Sequence, residues 1–298
     1  MARQSLQPFF DEPFLARLQQ LHLIAKRLAW RHSPGPRRSR RVGDGLEFAD
    51  HRSYSPGDDI RFIDWPYYAR MERLLLRLFH EHSESDVAIL LDCSASMAGG
   101  NPSKFNYARR TAAALAYVAM GSMERVIVLP FNSDLGPALH TGRNRGQIFN
   151  VMEFLARCEP GGKTDLGRCV DRFARQYPSA GTAIVLSDLQ DSADALDDSL
   201  ARLGMGGRDV NVLHVFSPDD ASPQLDGAVL LEQAETRQHL GVNVTEELLA
   251  SYRQCWGNFQ NTCQRACVSH GATYVPADTS MPFDRLVLQS LRQAGVLG

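Results

Sequence analysis

The chain reads as an α/β protein with a doubly wound, mainly parallel sheet carrying helices on both faces, preceded by a small N-terminal helix and strand segment. Two observations predict this. From position 86 onward, short apolar runs alternate with amphipathic stretches of ten or more residues, the pattern of strands joined by helical crossovers. Several of the apolar runs are also continuous rather than alternating, as in strands buried on both faces of a parallel sheet. The clearest is 87–91, Val-Ala-Ile-Leu-Leu, closed by the carboxylate of Asp92.

Taken in order, residues 11–30 carry a helix signature. Asp11 offers an N-cap, Pro13 stands in the first turn, and Phe14, Leu15, Leu18, Leu21, Ile24, Ala25 and Leu28 follow helical spacing. Residues 33–45 form a polar, arginine-rich loop, read as a solvated surface rather than a nucleic-acid site. Between 46 and 82, aromatic and charged residues interleave. Pro56-Gly57 marks a turn, Asp58, Asp59, Arg61, Asp64 and Arg70 can pair internally, and Trp65 is expected to fix this segment against the main domain. Alternation over 74–82 predicts a half-buried strand. Beyond it come a helix over 104–120, a strand over 125–131, helices over 147–158 and 166–177, a strand over 182–187, a helix over 193–203 and a strand over 210–216. A hairpin of 228–232 with 238–244, a helix over 246–269, a strand over 272–276 and a helix over 283–294 complete the wrap. The expected division is a companion segment, 1–85, and a main domain, 86–298.

Composition narrows the function. At 298 residues, 44% hydrophobic and 22% charged, this is an ordinary globular chain with length for a large core. Its formal charge of −2 gives the whole molecule no bias toward nucleic acid or anionic membrane. No run approaches the ~20 apolar residues that cross a bilayer, and the start lacks an apolar signal segment, so a cytoplasmic location is the default expectation. Six cysteines without a C-x-x-C pair read as buried free thiols.

Chemistry concentrates after the strand at 87–91. Asp92, Ser94 and Ser96 place three oxygen donors at alternate positions, and Thr164 and Asp188 follow a strand or open a helix on the same side of the expected sheet. Carboxylates with hydroxyls form a hard-oxygen set suited to Mg²⁺ or Mn²⁺, and an octahedral ion leaves a position for an outside ligand. Competing chemistries lack parts. A phosphate loop ending in Gly162-Lys163-Thr164 needs glycine at 157, where Arg157 stands. A Mg²⁺-dependent phosphohydrolase with Asp92 as nucleophile, of the haloacid-dehalogenase kind, needs an acid two residues on, where Ser94 stands. Neither G-x-S-x-G nor H-E-x-x-H occurs, so no catalytic residue is assigned. His214, inside an apolar strand, reads as a satisfied core residue.

Asp92-x-Ser94-x-Ser96, Thr164 after a glycine pair and Asp188 after an apolar strand resemble the metal-ion-dependent adhesion site of von Willebrand factor type A domains. The upstream words Gly45-Leu-Glu-Phe, Arg52-x-Tyr54-x-Pro56-Gly57-Asp58-Asp59-x-Arg61-x-Ile63-Asp64-Trp65 and Ala69-Arg70 are similar to the bacterial family called domain of unknown function 58. One departure is Lys163, which intervenes between the glycines and Thr164. The resemblance implies Asp92, Ser94, Ser96, Thr164 and Asp188 as metal positions and a protein partner whose acidic side chain completes the coordination. It also implies work alongside a MoxR-type AAA+ ATPase in assembling or maturing other complexes. The alternatives are a structural scaffold of the same fold, with a purely structural metal or none, and the phosphohydrolase.

Overall fold

The computed structural model describes residues 10–31, 42–43, 47–56, 58–80, 86–190 and 193–293. The arginine-rich loop, Gly45, Gly57 and His82 lie outside them. The elements begin with helix α1 (Glu12–Arg31), strands β1 (Val42–Gly43) and β2 (Glu47–Ser53), helix α2 (Trp65–Met71), and strands β3 (Leu75–His80) and β4 (Asp86–Asp92). Then come α3 (Lys104–Gly121), β5 (Val126–Phe131), β6 (Leu139–His140), α4 (Ile148–Arg157), α5 (Leu166–Gln176), β7 (Ala180–Ser187), α6 (Ala193–Leu203) and β8 (Asp209–Phe216). The last are β9 (Gly227–Glu232), β10 (His239–Val244), α7 (Glu246–Ser269), β11 (Thr273–Asp278) and α8 (Phe283–Gln293).

The chain divides into two compact units, residues 32–84 and residues 1–31 with 85–298. Helix α1 therefore belongs with the main unit, not with the companion segment 1–85 that the sequence suggests. The reason is its apolar stripe: Phe14, Leu18 and Leu21 are buried at helical spacing, and the Phe14 and Phe283 rings lie 4.8 Å apart.

In the smaller unit, β1, β3 and β2 form an antiparallel sheet in that order. Its charges pair internally, Arg52 with Asp58 at 2.8 Å and Arg61 with Asp59 at 2.6 Å. Asp64 caps α2 by accepting from the Tyr67 amide at 2.9 Å, and its other oxygen lies 2.9 Å from His51 Nε2. Trp65 is 55% exposed.

The main unit is an α/β fold around a six-stranded sheet of order β11-β8-β7-β4-β5-β6, parallel except for β6. Alternation along β4 builds a core on each face. Val87, Ile89 and Leu91 join residues of α1, α3, α4 and α8, while Ala88 and Leu90 join α5, α6 and α7. Each such aliphatic side chain contributes roughly 1.5–3 kcal/mol by leaving water. Helix α3 is alanine-rich, with Ala108, Ala112, Ala113, Ala114 and Ala116 fully buried, so its small side chains suit close packing. On α5, Leu166, Cys169, Val170 and Phe173 form the inward stripe. His214 is buried as expected, its Nδ1 2.7 Å from the Tyr274 hydroxyl, and burial lowers its pKa to about 4. All six cysteines are free, but Cys255 is exposed rather than buried. Among the described residues no helix is long and apolar enough to cross a membrane.

Candidate metal centre

Strand β4 delivers Asp92, fully buried, to the carboxyl end of the sheet. The Ser94 amide donates to its Oδ1 at 2.8 Å, and the Ser187 hydroxyl at the end of β7 donates to its Oδ2 at 2.5 Å. A single 3-10 turn, Ala95–Ala98, then brings alternate side chains together, with the Ser94 and Ser96 hydroxyl oxygens 2.9 Å apart. The following Gly100 has φ +86 and no room for a side chain, because a Cβ would stand 2.7 Å from that of Ser217. The close approach draws this loop to the end of β8.

The loop carrying Thr164 is stitched onto the Asp92 loop by two backbone bonds. Gly161 donates to the Cys93 carbonyl at 2.7 Å, and Ala95 donates to the Gly162 carbonyl at 3.0 Å. Asn132, just beyond β5, holds the same loop by donating from its side-chain amide to the Gly161 carbonyl at 3.2 Å. Asp165 caps α5, accepting from the Arg168 amide at 2.9 Å. Thr164 thereby stands between loop and helix with its hydroxyl oxygen buried and lacking any hydrogen-bond partner. A buried orphan oxygen is costly unless something outside the chain satisfies it.

Asp188 follows β7, and here the structure adds residues the sequence reading missed. Lys104, the first residue of α3, donates from Nζ to Asp188 Oδ2 at 2.9 Å and lies 3.4 Å from Asp220 Oδ2. Asp220 is fixed by accepting from the amide and hydroxyl of Ser217 at 2.8 and 2.9 Å. A lysine opening a helix reads locally as a surface residue, so no short-range signal identifies it. Lys163, in contrast, is exposed; the ammonium that engages a site carboxylate is Lys104.

Burial, and then the charge of Asp188, push the Asp92 pKa up to about 7, against the lowering effect of its bonds from Ser187 and Ser94. Burial disfavours the Lys104 ammonium, but the charges of Asp188 and Asp220 outweigh it and hold its pKa above the ordinary value. Three carboxylates thus stand against one ammonium. Among the described residues no group of three or more His, Cys, Asp or Glu converges as a metal set, so the donors must include hydroxyls. Two mutually repelling carboxylates, a serine pair and an orphan threonine oxygen are the donors a hard divalent cation takes. Asp92, Ser94, Ser96, Thr164 and Asp188 are the residues able to hold one, with Asp188 sharing its second oxygen with Lys104.

A family described as protein of unknown function DUF58 matches residues 50–257. Uncharacterized proteins Rv1480 of Mycobacterium tuberculosis and Mb1516 of Mycobacterium bovis are each 27% identical over 202 residues, 65% of this chain. The match spans 62% of those relatives' own length. Among solved structures, the conserved hypothetical protein BatB from Bacteroides thetaiotaomicron is similar at 17% identity and TM-score 0.46, covering 71% of this chain and 98% of that one. A von Willebrand factor type A protein from Catenulispora acidiphila is similar at 14% identity and TM-score 0.42, covering 72% and 43%.

Proposed function

Since the chain belongs to the family described as protein of unknown function DUF58, we propose its function from its own chemistry: a non-enzymatic, divalent-metal-dependent protein-binding module. Asp92, Ser94, Ser96, Thr164 and Asp188 hold Mg²⁺ or Mn²⁺, directly or through water, and an acidic residue of a partner protein completes the shell. The carrying observation is the buried Asp92 carboxylate beside the charge of Asp188, on a loop stitched to one whose Thr164 hydroxyl is buried without a partner. Such a site gains most from a cation and can offer it to one external oxygen ligand. When bound, the ion supplies charge neutralisation and an open position for a carboxylate. The chain's residues orient it: Ser187 and the Ser94 amide fix the Asp92 rotamer, and Lys104 holds Asp188.

The resemblance to type A domains supplies the partner class, a protein rather than a small substrate. A MoxR-type AAA+ ATPase in the cytoplasm, with the pair assembling or maturing other complexes, is its finer form. A nucleophilic Asp92 is disfavoured, since both of its oxygens already accept hydrogen bonds in a fully buried position. A second reading, a metal that only staples loops, is favoured by one observation: Lys104 already engages Asp188.

The test is affinity capture with Ser94→Ala/Ser96→Ala beside the wild type, in Mg²⁺ and in chelator. An AAA+ ATPase or other protein held only by wild type with metal supports the module. Identical capture in every lane by a folded variant rejects metal-dependent binding and leaves the staple.

A further inference from the structure

The hairpin β9–β10 is exposed along its strands, yet its turn is not. Residues 230–234 and 237–241 are exposed, while Glu235 and Thr236 between them are half-buried. The turn is closed by Gln233 donating to the Gln238 carbonyl at 2.8 Å and by Arg237 donating to the Gln233 carbonyl at 2.9 Å. A two-stranded hairpin is marginal by itself, so a docked turn requires an anchor. Glu235 supplies it, with Oε1 accepting from the Thr164 amide at 3.3 Å.

That anchor is chemically unusual. Among the described residues Glu235 forms no ion pair, and its neighbour Arg237 is engaged by Glu232 at 2.7 Å. A half-buried carboxylate without a cation is therefore aimed at the one loop whose buried hydroxyl, that of Thr164, also lacks a partner. Both deficits are met by a single cation between them. We propose that Glu235 is an internal acidic ligand of the metal centre: its carboxylate takes the position open to a partner's acidic residue, so hairpin and partner compete for the same ion. This rests on the metal reading above. The hairpin then sets the threshold for partner binding, because an incoming acid must displace a tethered one.

Mn²⁺ alone is the probe. Free Mn²⁺ is counted by electron paramagnetic resonance, and water on the bound ion is read by proton relaxation, in wild type, Glu235→Ala and Glu235→Gln. The turn lies outside both hydrophobic cores, so neither variant threatens folding. Glu235→Ala is expected to weaken Mn²⁺ binding about tenfold and to raise the relaxation enhancement of the bound ion, as water fills the vacated position. Millimolar acetate should reverse the relaxation change in Glu235→Ala but leave wild type unaltered. Glu235→Gln, which retains the acceptor for the Thr164 amide, should shift the same way by less. Mn²⁺ bound with equal affinity and equal relaxation in all three overturns the internal ligand while leaving the metal centre standing. Wild type that binds no Mn²⁺ overturns both.

Discussion

Lys104 Nζ lies 2.9 Å from Asp188 Oδ2 with both side chains 3% exposed, so an ion pair spanning 84 positions of sequence ties the start of α3 to the end of β7. Asp220 is the ammonium's second neighbour. Removing one partner of a buried pair leaves an uncompensated charge, which costs far more than the pair itself contributes.

Lys104→Met should therefore destabilise the protein by about 3–5 kcal/mol. Urea denaturation checks this, and adding Asp188→Asn to the same chain should recover part of the loss. A Lys104→Met protein as stable as wild type would show that the cluster is open to water.

The raised pKa of Asp92 carries a signed pH dependence. A carboxyl at about 7 in the fold and near its ordinary value when unfolded binds a proton on folding. Its stabilising contribution is full below about pH 4 and is lost as pH rises through 7. In the absence of divalent ions, wild type should thus lose stability relative to Asp92→Asn across that window. The slope approaches about 1.4 kcal/mol per pH unit. Thermal melts of both proteins from pH 4 to 8 measure it, and Mg²⁺ added at pH 8 should raise the wild-type melting temperature alone.

Arg208 is a buried guanidinium satisfied entirely by carbonyls. It donates to Ala180 at 2.7 Å and to Leu203 and Tyr177 at 3.0 Å each, and lies 4.9 Å from the Phe173 ring centre. Arg208→Met strands three acceptors and should cost about 3 kcal/mol. Arg208→Lys should regain less than half, because one ammonium cannot span the three directions of the fork. Equilibrium unfolding of the two variants reads the difference.

In the smaller unit, Asp64→Ala removes the cap of α2 and the bond to His51 and should cost about 1 kcal/mol. Asp64→Asn keeps an oxygen for the Tyr67 amide and should lose less. Hydrogen exchange at that amide, faster in the alanine variant alone, locates the effect.

Long elements with strong end signals were legible in the sequence. Helix 193–203 and helix 246–269 stand at the positions expected, the latter opened by Thr245, whose hydroxyl accepts from the Leu248 amide. Strand β2 was not legible, because Asp50, His51 and Arg52 interrupt the apolar alternation that marks a strand. Two-residue β6 is too short to carry a period. Around the site, Asp92, Ser94 and Ser96 are neighbours along the chain, and Asp188 ends a strand beside theirs, so topology suffices to group them. Lys104, Asp220 and Glu235 depend on packing between elements far apart in sequence. Their local contexts, a helix start, a short helical turn and a hairpin turn, are those of ordinary solvated residues.

The six-stranded sheet ends at one side in β6, only two residues long, and at the other in β11, which carries Pro276. Short edges and proline are devices that deny a neighbouring chain a ladder of free amide and carbonyl groups. An incoming protein thus finds no long flat strand on this sheet to extend. Recognition by backbone addition is closed to it, and selection among partners falls to the side chains at the carboxyl ends of the strands.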